Sequence, residues 1–223
     1  MAKLMFNGME IADITYTSGG GGGGGMPTFT ETVIATGTSA GTLTFTDDYH
    51  NYDFVNVKCV NESSGEVTDY LCTPAMIDSI FDLPTDNEIA FNEFNTNQYT
   101  RYAKTSNTVW TLTGARNLYI SEITGMSCDN FTVTETEIYK KTSYDTQSRT
   151  ISGTDLLDYD MFIVACSIAF TQPNSMPIEK PIYTDSEGYK AIVNGYNDWT
   201  LVRITDTEMS SAPYHYVGGI KFT

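Results

Sequence analysis

Short segments in which apolar and polar residues alternate recur along most of the chain. The clearest spans 52–60, where Val55, Val57 and Cys59 occupy one face and polar residues occupy the other. Thr, Tyr, Val and Ile are frequent, and their side chains suit a pleated, half-buried surface. Further strands are predicted over 28–36, 42–46, 88–94, 99–104, 108–113, 118–123 and 131–139. The pattern therefore predicts an all-β fold built from antiparallel sheets.

One short helix interrupts this pattern. Thr73 can accept a hydrogen bond as the N-cap residue, and Pro74 suits the first helical position. Pro84 ends the helical pattern. The residues predicted to share its apolar face are Met76, Ile77, Ile80 and Phe81.

The second half of the chain repeats parts of the first half. The segment "YDFVNVKC" at 52–59 recurs as "YDMFIVAC" at 159–166, with Tyr, Asp, Val and Cys at matching places. An internal repeat indicates that one set of strands is used twice. We therefore predict two related antiparallel β-sandwich-like repeats, the first over 28–142 with the helix inside it and the second over 143–223.

Two weaker matches extend the predicted repeat. The letters "WTL" occur at 110–112 and again at 199–201, and "YISEI" at 119–123 is echoed by "YVGGI" at 216–220. Because the two tryptophans recur at matching positions, we expect both to be core residues.

The repeated strand differs between the two copies on one face. The second copy has Ile163 and Ala165 where the first has Asn56 and Lys58. A strand that is apolar on both faces is covered on both sides. We therefore expect the first repeat, or a neighbouring subunit, to pack against this face of the second repeat.

The N-terminal segment, 1–17, is predicted to be an anchor hairpin. In "KLMFNGMEI", the segments 4–6 and 9–11 flank Asn7 and Gly8, a pair that suits a type I′ turn. A lone two-stranded hairpin is marginally stable in water, so it needs a surface on the main body or on another protein. The residues predicted to dock are Leu4, Phe6, Met9 and Ile11.

A glycine-rich linker over 18–27 follows this hairpin. Such a run spans roughly 15 Å on average, which is typical of a tether. A phosphate-binding loop is excluded because Met26 and Pro27 stand where Lys and Ser or Thr are needed, and a dinucleotide-binding loop because a strand follows. The linker glycines are Gly19, Gly20, Gly21, Gly22, Gly23, Gly24 and Gly25.

Composition narrows the possible partners. The 12 Lys and Arg against 28 Asp and Glu give a net charge of −16, which argues against direct contact with nucleic acid or an anionic membrane and favours solubility. No secretion signal or membrane-spanning stretch is apparent, so membrane insertion is not expected. The cysteines lack CxxC spacing and are expected to be buried thiols without disulfides; they are Cys59, Cys72, Cys128 and Cys166.

No motif predicts catalysis, a cofactor or a metal. His50 lies near Asp47, Asp48 and Asp53, which could hold Ca²⁺, but the segment lacks the Gly and distal Glu of an EF-hand loop. A polar turn in which Asp and Asn side chains bond the backbone is the favoured interpretation. No GxSxG or triad context occurs, so we expect a non-enzymatic protein, although two carboxylates of a glycosidase need no motif.

Aromatic residues in turn-like stretches are candidates for exposed contacts. His215 lies between two tyrosines and beside a proline, which favours a surface or subunit contact over a ligand role. The residues predicted to contact a host surface are Tyr196, Tyr214 and His215.

Several of these features together resemble virion proteins of tailed bacteriophages that infect gut bacteria. The shared features are the "KLMFNGMEI" hairpin, the glycine tract, the "DYDxxxV" strand and the terminal "YVGGIKF", which has an extra glycine, Gly219, where the family reads YGIK. The resemblance implies a tail-fibre-like or head-fibre-like accessory protein. It also implies a homo-oligomer, often a trimer, docked by its N-terminus onto a capsid or tail, and it implies no catalytic residues.

We therefore expect a virion structural protein, assembled in the host cytoplasm and exposed on the particle surface. Its expected partners are other virion proteins and further copies of itself, and a carbohydrate or protein of the host surface is a candidate partner. A decoration protein that only stabilises the particle, and a glycan-degrading enzyme, are the alternatives.

Overall fold

The computed structural model describes most of the chain. The described residues are 3–6, 9–13, 27–37, 41–82, 88–92, 98–142, 147–166, 175–177, 182–183, 190–195 and 198–223. Strands dominate these residues, together with one α-helix and two short 3-10 turns. The predicted all-β fold is confirmed.

The strands and the helix occur in the following order. The N-terminal segment contains β1 (Lys3–Phe6) and β2 (Met9–Asp13). The first repeat contains β3 (Phe29–Thr36), β4 (Thr42–Thr44), β5 (Phe54–Asn61), β6 (Val67–Cys72), α1 (Pro74–Phe81), β7 (Glu88–Asn92), β8 (Tyr99–Ser106), β9 (Val109–Arg116) and β10 (Leu118–Cys128). The second repeat contains β11 (Val133–Lys140), β12 (Arg149–Ser152), β13 (Met161–Cys166), β14 (Ser175–Pro177), β15 (Ile182–Tyr183), β16 (Lys190–Gly195), β17 (Asp198–Arg203), β18 (Glu208–Ala212) and β19 (Tyr214–Phe222).

The first repeat is a sandwich of two sheets. One sheet has the order β3-β10-β5-β6, and the other has the order β14-β7-β8-β9-β4. Buried side chains from both sheets and from α1 form one hydrophobic cluster. One strand of the second sheet, β14, comes from the second half of the chain and pairs parallel with β7. The two halves of the chain are therefore joined by strand pairing.

The helix forms where the sequence predicts it. The Thr73 hydroxyl accepts a hydrogen bond from the Met76 N–H at 3.2 Å, and Pro74 is the first helical residue. The predicted apolar face is buried in the core of the first repeat. This helix is therefore the insert that the first repeat adds to the shared strand set.

The second repeat reproduces the first sheet in the same register. Its sheet has the order β11-β19-β13-β15, which matches β3-β10-β5-β6 strand for strand. Val57 lies opposite Ile123, and Val164 lies opposite Val217. The outer strands β3 and β11 both carry a register shift, which leaves Ile34 and Ile138 out of the pairing. The predicted duplication is therefore visible in the strand pairing.

The repeated Tyr-Asp pair has the same role in both copies. The Asp53 Oδ2 atom accepts a hydrogen bond from the Cys128 N–H at 2.8 Å. The Asp160 Oδ2 atom accepts one from the Phe222 N–H, also at 2.8 Å. Each aspartate therefore ties the start of a buried strand to the end of the long strand beside it.

The tyrosine of each pair packs against a glycine of that long strand. A Cβ atom added at Gly125 would lie 2.5 Å from the Tyr52 ring, and one added at Gly219 would lie 2.6 Å from the Tyr159 ring. Neither glycine therefore has room for a methyl group beside the tyrosine ring that covers it. The second glycine of "YVGGIKF" is thus explained by packing.

Gly219→Ala is expected to lower the free energy of unfolding by about 1–3 kcal/mol, because the new methyl group overlaps the Tyr159 ring. Chemical denaturation would measure the loss. In the Tyr159→Ser background the same substitution should be nearly neutral, because the ring is gone. Equal losses in both backgrounds would contradict this packing role.

The strand pairing corrects two of the sequence matches. Gly125 and Gly219 occupy equivalent positions, so "YVGGI" corresponds to 122–126 and not to "YISEI" at 119–123. The two "WTL" segments are not equivalent either. Trp110 lies on β9, which pairs with β4, whereas Trp199 lies on β17, which pairs with β16. The counterpart of β9 is β18, which pairs with β12 and directly precedes β19.

The boundary between the repeats also lies earlier than predicted. The strand β11 at 133–140 was assigned to the first repeat by the sequence, but it pairs with β19 of the second. Its counterpart β3 begins the first repeat. The strand pairing therefore assigns β11 to the second repeat, which begins no later than residue 133 rather than at residue 143.

The first repeat covers the apolar second face of β13. Met161, Ile163 and Ala165 belong to the buried cluster of the first repeat. Phe162, Val164 and Cys166, on the opposite face, belong to a second cluster within the second repeat. The sequence predicted that either the first repeat or a neighbouring subunit would pack against this face, and packing by the first repeat is confirmed.

Candidate functional site

The predicted N-terminal hairpin is present as an antiparallel pair. Phe6 lies opposite Met9, and Leu4 lies opposite Ala12. Ile11 lies at a register shift between the two strands. Within the described residues, β1 and β2 form a two-stranded sheet of their own. The turn residues Asn7 and Gly8, the linker Gly19 to Gly25, and Tyr196 lie outside the described residues.

The acidic segment around His50 is a polar turn, as predicted. The Asp48 side chain accepts a hydrogen bond from the His50 N–H at 3.0 Å, and that of Asp47 accepts one from the Asp48 N–H at 2.8 Å. These bonds cap a 3-10 turn at Tyr49–Asn51. Across the described part of the chain, no group of three or more His, Cys, Asp and Glu side chains is arranged to hold a metal ion.

The turn is bonded to the helix through one carboxylate. Asp78, on α1, accepts hydrogen bonds from His50 Nε2 at 2.7 Å, from the Tyr49 hydroxyl at 2.6 Å and from Lys104 Nζ at 2.9 Å. The other ring nitrogen of His50, Nδ1, lies 2.6 Å from Asp48 Oδ1. Asn107 donates to the second oxygen of Asp48 at 3.2 Å. We call these six residues the His50 cluster.

The charges of the His50 cluster are mutually stabilising. Partial burial works to lower the pKa of His50, but the hydrogen bonds to Asp78 and Asp48 outweigh it and raise that pKa. Burial likewise works to raise the pKa of Asp78, but bonds from Lys104, Tyr49 and His50 leave it below its usual value. Both ring nitrogens of His50 are engaged, so the ring has no position for taking a proton from a substrate. The cluster is suited to holding elements together rather than to catalysis.

Tyr214 and His215 are buried, which corrects their predicted role as host contacts. Both side chains are 0% exposed, so a molecule in solution cannot reach them in this fold. His215 Nε2 donates to the backbone carbonyl of Ser79 on α1 at 3.2 Å, and the Tyr214 hydroxyl donates to the carbonyl of Ser210 at 2.8 Å. Burial lowers the pKa of His215 to about 4, so the ring is neutral near pH 7.

Glu135 joins the helix to the second repeat. Its Oε1 atom accepts hydrogen bonds at 2.8 Å from the hydroxyls of Thr73, the N-cap of α1, and of Tyr216 on β19. Burial raises the pKa of Glu135 despite these two bonds. With the His215 bond to Ser79, this contact makes α1 one of the elements that connect the repeats.

The predicted state of the cysteines is confirmed for three of the four. Cys59, Cys72 and Cys166 are buried and Cys128 is half-buried, and none of them forms a disulfide. Burial raises the pKa values of the Cys59 and Cys72 thiols, which leaves them protonated and unreactive.

Comparison with known proteins identifies no relative of this chain. No protein-family model, curated protein or solved structure matches this chain. Among the described residues, no helix has the length and apolar character needed to cross a bilayer.

Sequence reasoning missed the acceptors that organise these contacts. Asp78 meets His50 and Lys104 only through tertiary folding, and no local pattern signals that. Glu135 had a signal, because "TETVI" at 30–34 and "TETEI" at 134–138 are nearly identical and mark β3 and β11 as equivalent strands.

Proposed function

We propose that this chain is a non-enzymatic, fibre-like structural protein of a tailed-bacteriophage particle, docked by its N-terminal hairpin to the capsid or tail. The observation that supports this most is the separate pairing of β1 and β2. Among the described residues these two strands form their own sheet, and a run of seven glycines lies between them and the body. A short two-stranded sheet is suited to pairing with a strand or groove of another protein.

The docking energy would come from the hairpin's apolar side chains. Fully burying four such side chains contributes about 6–12 kcal/mol before the loss of conformational entropy is subtracted. The residues concerned are Leu4, Phe6, Met9 and Ile11. Several copies in a homo-oligomer, such as the trimer that the resemblance implies, would strengthen the attachment further.

The body is suited to projecting from a particle. The two repeats share a buried cluster and a paired strand, so they support one another. The net charge of −16 favours the solubility of such a body. On this proposal the body extends outward to contact a carbohydrate or protein of the host surface.

A decoration protein that only stabilises the particle is the second candidate. The burial of Tyr214 and His215 favours it, because two of the three residues proposed to contact the host are unavailable. Binding to a glycan array would support the attachment role, and its absence would favour decoration.

Deletion of residues 1–25 is expected to abolish incorporation into particles while leaving the body folded. Purified particles would be probed for the protein by immunoblot, and circular dichroism and light scattering would report the fold and the oligomeric state of the free protein. As a matched control, replacing Gly19 to Gly25 with a Gly-Ser linker of equal length should leave incorporation unchanged. Normal incorporation of the truncated protein would refute the proposed anchor.

A further inference from the structure

We propose that His50 is a pH-sensitive latch, which holds the 3-10 turn against α1 while its ring is protonated and loosens that contact when the ring loses its proton. The inference rests on the His50 cluster and does not depend on the proposed function. It concerns a side chain that the docking hairpin does not involve.

The geometry requires a protonated ring. The two ring nitrogens lie 2.6 Å from Asp48 Oδ1 and 2.7 Å from Asp78 Oδ2. An ionised carboxylate can only accept hydrogen bonds, and a neutral imidazole has a single N–H. Both contacts are therefore hydrogen bonds only when the ring carries two protons. In the neutral ring, one nitrogen lone pair would face a carboxylate oxygen.

The surrounding charges favour the protonated state. The groups facing His50 are Asp48 from its own turn and Asp78 from α1. From β8, the Lys104 ammonium bonds the other oxygen of Asp78, and Asn107, in the turn after β8, bonds Asp48. The Tyr49 ring stacks on the imidazole with centroids 4.2 Å apart. The carboxylates of Asp48 and Asp78 are thus balanced by the charges of His50 and Lys104. When the imidazolium loses its proton, the Lys104 ammonium is the one cation of the cluster that remains.

The latch acts on the helix that connects the repeats. Asp78 attaches α1 to the first repeat. The backbone carbonyl of its neighbour Ser79 accepts a hydrogen bond from His215. Thr73, at the start of the helix, donates one to Glu135. His215 and Glu135 both belong to the second repeat. Loosening the turn from Asp78 therefore weakens one of the polar contacts that hold α1 in place, while Lys104 keeps its own bond to Asp78.

The sign of the pH effect follows from the direction of the pKa shift. The pKa of His50 is raised above the ordinary histidine value of 6.5, so its stabilisation is present below that pH and is lost as the pH rises through the folded-state pKa. His215 has the opposite sign, because its pKa is lowered to about 4 and its contribution is lost as the pH falls below its unfolded value. The two histidines therefore act in separate pH windows.

The test combines two measurements on the full chain. NMR titration of the ring protons is simple to assign, since the chain has only 2 histidines. One ring is expected to titrate above the ordinary histidine range, and its signal should disappear in His50→Gln. The melting temperature of the wild type should fall by about 2–4 °C between about pH 6 and about pH 8.5, whereas that of His50→Gln should stay level.

Glu122→Gln provides a matched control. Glu122 pairs with Lys58 at 2.6 Å at a similar exposure, but no histidine takes part, so this variant should keep the wild-type pH dependence. Asp48→Asn is a second test that preserves the capping oxygen. It should reduce the dependence of the melting temperature on pH and lower the pKa at which the His50 ring titrates. The proposal is overturned if the His50 ring titrates at or below the ordinary range, or if His50→Gln keeps the wild-type slope.

Discussion

Trp110→Ala is expected to lower the free energy of unfolding by about 3–5 kcal/mol. The indole is 0% exposed and lies where three parts of the first repeat meet. Its ring centroid is 4.9 Å from that of Phe45, 5.9 Å from that of Tyr49 and 5.4 Å from that of Phe81. The cavity would therefore open between β9, the 3-10 turn and α1, none of which can move inward without breaking other contacts. Urea denaturation followed by circular dichroism measures the loss.

Trp110→Phe is the matched control. The indole N–H is buried and has no hydrogen-bond partner among the described residues, so phenylalanine removes an unsatisfied donor as well as some volume. We expect a loss well below that of alanine. A loss under about 1 kcal/mol for Trp110→Ala would contradict the placement of the indole in the core.

Local features of the fold could be predicted because their signals lie close together in the chain. Thr73, Pro74 and the apolar spacing after them define the helix within a few residues. Alternation likewise located β5 and most of its neighbours. The strand β6, at Val67–Cys72, was missed because polar residues interrupt its alternation; among the described strands it lies at the edge of its sheet.

The duplication could be predicted only where a repeated residue has a repeated physical role. The Tyr-Asp pair is repeated because Asp53 and Asp160 bond equivalent backbone amides. The "WTL" match has no such basis, since Trp110 and Trp199 lie on strands with different neighbours. A short sequence similarity therefore identified equivalent strands only where the matching residues make equivalent contacts.

The His50 cluster was predictable only in part. The turn around Asp48 is local and was anticipated, because the aspartate bonds backbone within its own segment. The contact with Asp78 joins residues 28 positions apart and depends on how α1 packs. The burial of His215 was missed for the same reason, because its hydrogen-bond acceptor, the backbone carbonyl of Ser79, is distant in the chain.

Ile163→Asn is expected to lower the free energy of unfolding by about 3–5 kcal/mol, through lost apolar burial and an amide buried without partners. Asparagine is the residue that the first repeat carries at the equivalent position, Asn56, whose Nδ2 donates a hydrogen bond to Asp69 Oδ1 at 2.9 Å. Ile163 is 1% exposed in the cluster shared with the first repeat, where it is surrounded by apolar side chains. The same residue is therefore tolerated in one copy and is expected to be destabilising in the other. Ile163→Val, which removes one methylene, should lose only about 0.5–1.5 kcal/mol.

The two tryptophans allow each repeat to be followed separately during urea unfolding. In a Trp199→Phe background fluorescence reports the first repeat, and in a Trp110→Phe background it reports the second. Because Ile163 lies in a cluster that both repeats share, Ile163→Asn should shift the transition by the same amount in both backgrounds. A shift confined to the second repeat would mean that the repeats unfold independently. The covering of β13 by the first repeat would then contribute little to stability, and the body could not act as one rigid unit.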